Sequence, residues 1–253
     1  FHVRRNRSTC KEGTEMAKWG MAIDIDRCDG CNACVVACRT ENNVPTAGPE
    51  QAENGRAIEW IRVERHVEGE FPNVRVRFVP VMCVHCDEAP CVKVCPVSAT
   101  YETPDGLNAQ IHPRCIGTRA CGQACPYTVR YFNWGEPSWE APLEQTINPD
   151  VAVRWKGIME KCTFCVQRIR RTNDQARDEE REIRDGEVQP ACAQACPAQA
   201  IVFGDREDPE SAVSKLSESP RAERPLEELG TGPRVVYLKE GGWGDGVRPG
   251  SSD

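Results

Sequence analysis

Apolar residues come in short runs separated by long polar stretches, and the runs lie beside cysteines. Residues 21–26 predict a strand entering the first cysteine group, and 200–203 a strand leaving the last. Between the second and third groups, 97–114 holds a short β-like run, the turn signal Asp105-Gly106 and a second run over 108–112. Together they predict a hairpin. Residues 172–187 (TNDQARDEEREIRDGE) are charge-dense and predict a solvated helix with i,i+4 pairs, ending at Gly186. The stretches 45–55 and 135–149 are rich in Pro, Gly and Asn and predict loops; Trp134 and Trp139 there serve either docking or packing. After Gly204 the pattern is lost, since 207–228 is charged and Pro-rich and 241–253 is Gly-rich. That predicts an extended C-terminal tail, draped over a partner or partly disordered. The longest apolar runs, 33–38 and 78–84, fall far short of the ~20 residues of a membrane span. No segment carries the design of a signal peptide. The expectation is a chain with no direct membrane span, and a start at Phe1 reads as a processed, trimmed or excised piece.

Composition sharpens this. The 253 residues are 39% hydrophobic and 6% aromatic, a thin apolar supply for the length, yet sixteen are cysteine. Something besides apolar burial must hold the chain together. A net charge of −7 argues against nucleic acid as a partner.

All cysteines but Cys10 fall into four groups. The first is Cys28-x2-Cys31-x2-Cys34-x3-Cys38; the second is Cys83-x2-Cys86-x4-Cys91-x3-Cys95-Pro96. The third is Cys115-x5-Cys121-x3-Cys125-Pro126. The fourth is Cys162-x2-Cys165, a 26-residue insertion, then Cys192-x3-Cys196-Pro197. Disulfide frameworks suit short secreted scaffolds, and zinc ribbons leave no role for a fourth Cys three residues on. The run C-x2-C-x2-C-x3-C-P is that of bacterial ferredoxins, in which the fourth Cys ligates the neighbouring cluster. Iron–sulfur ligation is therefore the reading.

The crossing rule makes the groups work in pairs. Groups two and three, joined by the hairpin, form an inner module, and groups one and four pair across the chain to wrap it. The predicted fold is α+β: two nested ferredoxin-like modules, each with two cubane-type sites, built from four copies of one half-motif. The predicted divisions are an N-terminal extension 1–20, an outer module 21–40 with 150–204, and a connecting insertion 41–74. An inner module 75–134, a loop 135–149 and a tail 205–253 complete them. Cys28, Cys31, Cys34 and Cys196 are expected to hold one [4Fe-4S] cluster, and Cys38, Cys162, Cys165 and Cys192 a second. Cys83, Cys86, Cys91 and Cys125 are expected to hold a third. Cys95, Cys115 and Cys121 are left for the fourth, one thiolate short, because Thr118 stands where the spacing demands Cys. A neutral hydroxyl is a poor ligand for soft iron, which predicts a [3Fe-4S] cluster. The competing reading is a four-iron cluster with water on an open, Lewis-acidic site, but no His or carboxylate base stands near Thr118 in sequence to use it. Arg114 and Arg119 are the ionisable neighbours there, expected to raise the potential.

The stretches KWGMAIDIDRCDGCNACVVACRTENNVP, CVHCDEAPCVKVCPVSATY, RCIGTRACGQACPYTVRYFNW and NPDVAVRWKGIMEKCTFCVQRI, with ACAQACPAQAIVFGD, resemble the four-cluster ferredoxin subunit of the molybdopterin-oxidoreductase superfamily. The nearest resemblance is to the iron–sulfur part of alternative complex III and related quinone reductase complexes, and Thr118 matches that branch. The resemblance implies an electron wire between a molybdopterin-type large subunit, an integral membrane quinone-binding subunit and a c-type cytochrome. It implies that the outer clusters face the large subunit and that the Cys95/Cys115/Cys121 site lies nearest the membrane. It further implies export with a partner and residence at the periplasmic face of the inner membrane, in a respiratory or photosynthetic complex. The alternatives are an iron–sulfur enzyme working at Thr118 and a free soluble polyferredoxin. No catalytic residue is expected in the chain itself.

Four further residues complete the reading. His85, between Cys83 and Cys86, either tunes that cluster or fills its loop. His112 is expected to end a hairpin strand, Lys161 either to tune the Cys162 cluster or to be a solvated surface residue, and Cys10 to be a free surface thiol.

Overall fold

The structure, a computed structural model, describes residues 17–239. Cys10 lies outside the described residues, as does 240–253. The chain opens with β1 (Trp19–Asp24), α1 (Ala33–Glu41) and α2 (Pro49–Glu53). Two eight-residue strands follow, β2 (Ile61–Glu68) and β3 (Arg75–Met82), paired antiparallel from Ile61↔Met82 to Glu68↔Arg75. This hairpin straddles the expected boundary between a connecting insertion and an inner module at 74–75. The insertion therefore contributes a strand of its own.

Next come α3 (Pro90–Lys93), β4 (Thr100–Glu102), β5 (Asn108–Gln110) and α4 (Ala120–Gln123). Strands β4 and β5 form the hairpin that Asp105-Gly106 signals; Gly106, at φ 81°, supplies the left-handed turn residue. The second strand stops at Gln110, two residues short of expectation, and His112–Arg114 is a 3-10 turn. Short strands β6 (Tyr131–Phe132) and β7 (Met159–Glu160) pair across the 135–149 loop.

The helix expected over 172–187 is instead α5 (Val166–Asp178). It starts directly after Cys165 because Ile169 and Ala176 give it a buried face. Beyond Asp178 the chain is irregular, and Arg181 pairs with Glu187 at 2.5 Å to tie it. Helix α6 (Ala191–Gln194), β8 (Ile201–Asp205), α7 (Ala212–Ser217), β9 (Ala222–Glu223) and β10 (Val235–Leu238) complete the chain.

The main sheet has the order β8-β1-β10-β9. Strand β1 is flanked by antiparallel β8 and parallel β10, so the two expected end strands meet, though as Trp19–Asp24 and Ile201–Asp205. The extended tail expected after Gly204 is corrected through Lys239. Val235, Val236, Tyr237 and Leu238 are all at most 3% exposed, a continuous apolar run of the kind that a strand buried on both faces shows. The surrounding charge conceals a run only four residues long. Helix α1 packs on α6 and α3 on α4, which brings group one to group four and group two to group three. One core runs through the molecule, and cysteines fill it beside Trp19, Tyr127, Phe164, Phe203 and Tyr237.

Candidate iron–sulfur centres

Each cysteine group folds by the same local rules. The residue before the second ligand position is left-handed in all four: Gly30 at φ 74°, His85 at 46°, Gly117 at 70° and Phe164 at 54°. At Gly117 a Cβ would lie 2.2 Å from the Gly157 carbonyl oxygen, so only glycine fits. His85 and Phe164 hold that conformation at a cost of roughly 1–3 kcal/mol each, the kind of strain kept at functional loops. Their rings stack 3.9 Å apart and tie the second group's loop to the fourth's.

The Cys-Pro ends repeat as well. Ser98, Thr128 and Gln199, each three residues past the last Cys, are left-handed, and their N–H groups donate back to the carbonyls of Cys95, Cys125 and Cys196. The next N–H then turns toward sulfur: Ala99 N–H donates to Cys95 Sγ at 3.2 Å and Ala200 N–H to Cys196 Sγ at 3.3 Å. Further backbone N–H groups reach Cys115, Cys162 and Cys165 from Met159, Phe164 and Ala191. Such donors stabilise negative sulfur. Cys95, exposed to several of them, is held below the ordinary thiol range even though burial opposes this.

None of the fifteen described cysteines is in a disulfide. Their surroundings sort them. Burial first, then Cys28, Cys196 and Cys31, push the Cys34 thiol up to about 12, and these four thiols line one enclosed cavity. Burial, then Cys162, Cys165 and Cys192, push Cys38 well up. Cys86 is pushed up to about 12 by burial and by Cys83, Cys91 and Cys125, with a hydrogen bond from Thr231 opposing. Arg130 is the cation that Cys95 and Cys121 share. The groups also neighbour one another in series. Cys192 has Cys34 as an electrostatic neighbour, Cys162 has Cys83, and Cys91 has Cys121.

Thiols as buried as Cys34, Cys38 and Cys86 stay protonated until a metal displaces the protons. Soft thiolate sets with N–H donors fit iron–sulfur clusters. A buried orphan donor adds to the fit: Arg130 is 8% exposed and its Nε–H has no partner, beside thiols where a cluster would offer sulfur. Bound there, a cluster supplies one-electron storage.

Thr118 is exposed, next to Ile116 at 65%. Arg114 and Arg119 are exposed too, and Arg119 lies over the Trp134 ring at 4.9 Å, opening a cleft of about 700 Å³ with Arg56, Arg62 and Phe132. The buried cation is Arg130. Its Nη1 donates to Cys91 Sγ at 3.2 Å, and its Nη2 donates to Thr100 Oγ1 and Gln110 Oε1, both at 2.8 Å. Burial works against its charge, but Cys91, Cys121 and Cys83 outweigh that and hold the proton. Lys161 is not solvated; it is 2% exposed and donates to the Cys162 carbonyl at 2.8 Å. His85 is fully buried, its Nδ1 accepts from Asn108 N–H at 3.1 Å, and burial followed by Lys161 keeps it neutral.

Two features had no expectation. Fully buried Glu160 accepts from Trp60 Nε1 at 2.8 Å, Arg154 Nε at 3.0 Å and Asn133. Segment 231–234 runs along the second group, with Asp87 N–H donating to Gly232 O and Arg234 N–H to Val84 O.

A 4Fe-4S dicluster domain model matches residues 27–99, and a second model of that description matches 74–142. The menaquinone reductase iron–sulfur cluster-binding subunit of Nitratidesulfovibrio vulgaris is 45% identical over 231 residues, covering 89% of this chain and 90% of that protein. The chain belongs to the iron–sulfur subunits of molybdopterin-oxidoreductase-type complexes. Other members include the Hdr-like menaquinol oxidoreductase iron–sulfur subunit 1 of Archaeoglobus fulgidus, 37% identical over 92% of this chain and 87% of its own. The arsenate respiratory reductase iron–sulfur subunit of a Shewanella strain is 36% identical over 88% and 97%. This range is wider than the alternative complex III branch, so the likeness to that branch is the less specific part. Among the described residues no helix is long and apolar enough to cross a membrane.

Proposed function

We propose that the chain is an electron relay carrying three [4Fe-4S] clusters and one [3Fe-4S] cluster. The ligand sets would be Cys28/Cys31/Cys34/Cys196, Cys38/Cys162/Cys165/Cys192, Cys83/Cys86/Cys91/Cys125 and Cys95/Cys115/Cys121, the last with Thr118 in place of a thiolate. The observation that carries this reading is the series of neighbours Cys34–Cys192, Cys83–Cys162 and Cys91–Cys121, which would join the four sites in one line. The packing of α1 on α6 and of α3 on α4 supports nested modules, outer 21–40 with 150–204 and inner 75–134. Thr118 and Ile116, exposed beside the Arg119–Trp134 cleft, suit the terminal site to exchange electrons with a quinone-binding membrane subunit. A molybdopterin-type large subunit would meet the other end, with a c-type cytochrome as a further partner. The names of the menaquinone and menaquinol relatives support the quinone side of this assignment. We place the complex at the inner membrane, on its periplasmic face.

The test is iron and sulfide counting with EPR on the air-oxidised protein. About 15 irons and an oxidised-state three-iron signal are expected. A silent oxidised protein with about 16 irons would overturn the [3Fe-4S] assignment.

A further inference from the structure

Along the proposed line of sites, buried positive charge is uneven. At the second site the side chain donating to sulfur is neutral: Asn42 Nδ2 reaches Cys165 Sγ at 3.5 Å and Cys38 Sγ at 3.6 Å. Arg168, near Cys165, is tied to Glu41 at 2.7 Å, and Asp29 adds negative charge beside Cys28. At the second-to-third junction stands Lys161, a neighbour of both Cys162 and Cys91. At the third-to-fourth junction stands Arg130, a neighbour of Cys91, Cys121 and Cys83. The partners of these two cations are a backbone carbonyl, a hydroxyl, an amide oxygen and thiol sulfur, with no carboxylate among them.

Reduction adds one negative charge to a cluster, and a buried cation at contact distance favours the reduced form strongly where the dielectric is low. We propose that Arg130 and Lys161 are the positioning charges that make the Cys83/Cys86/Cys91/Cys125 site the highest-potential of the three four-iron centres. This rests on the ligand sets proposed above. The first site, with Asp29 and no buried cation, is then the lowest of the three. An electron entering from that end runs downhill to the third site.

The test is EPR-monitored redox titration of the cluster-loaded protein, with iron counted in each sample. The third site's signal is recognised by its altered line shape in Cys86→Ser. Arg130→Gln and Lys161→Gln are each expected to raise that site's oxidised-to-reduced ratio at fixed potential at least about tenfold, equivalent to about 59 mV for one electron. The first site should move less than about twofold, because it lies furthest from both cations along the proposed line and the Coulomb energy falls with distance. Arg130→Lys, which keeps the charge, should stay within about threefold of wild type. Unmoved potentials with full iron, or equal shifts at every site, overturn the proposal. Loss of iron from the third site in both Gln variants also overturns it, since the cations would then be needed for assembly and not for potential. A wild-type iron count far from about 15 overturns the relay reading and this inference with it.

Discussion

Cys31 is exposed and Cys28 half-buried in their loop, with Asp29 alongside and only Cys34 buried, whereas Cys83, Cys86 and Cys91 are all buried. Over the second group lie segment 231–234, His85 stacked on Phe164, and two cations without carboxylates. Both loops have a left-handed residue before the second cysteine, Gly30 and His85, and a helix carrying the third. On the proposed ligand sets the half-motif decides where iron would go, and the packing around it decides what environment that iron would meet. An outer site near water and an inner site in a dry, positive setting follow from one repeated sequence pattern.

The largest expected effect attacks the buried seam where Glu160, on β7 of the 150–204 segment, meets β6 of the inner module. Glu160→Ala leaves the Arg154 guanidinium, 1% exposed, buried without its carboxylate. Breaking a buried pair in this way costs about 3–5 kcal/mol. Thermal unfolding should fall accordingly, with iron lost from the inner sites first. Retention of the melting temperature would show the pair to be dispensable.

Acid sharpens the same contrast. Burial, then Arg154, Lys161 and Arg130, hold His112 down from 6.5 to about 4. The folded protein keeps this imidazole neutral while the unfolded chain protonates it. Its contribution is thus full above about 6.5 and is lost as pH falls through about 4. The size is on the order of 3 kcal/mol. The check is the pH dependence of denaturant unfolding in wild type and His112→Gln; the variant should lose less stability over this window. Identical slopes would contradict the assignment.

The smallest effect belongs to the outer half. Arg168→Gln breaks a partly exposed pair with Glu41 and should cost no more than about 1 kcal/mol. A loss as large as that of Glu160→Ala would erase the difference drawn between the halves.

The iron–sulfur character of the cysteine groups was readable in the sequence because ferredoxin spacing is rigid chemistry: Cys-Pro ends and x2 gaps leave few alternatives. The β4–β5 hairpin was readable for the same reason, since Asp105-Gly106 names its turn. Strand β10 was not, because four apolar residues amid charge carry no period. The burial of Lys161 and the role of Arg130 escaped for a different reason. Burial of a long cation depends on what folds over it, and residue type argues for the surface. One signal for Arg130 did exist. Five residues past the closing Cys of groups two, three and four stand Thr100, Arg130 and Ile201, so the charge is the odd member of the repeat.

The central claim is that four centres form one continuous line, and EPR of the fully reduced protein tests it most directly. Neighbouring reduced clusters interact magnetically, so the account predicts split and broadened signals that no sum of isolated clusters reproduces. Four sharp, independent signals would contradict it.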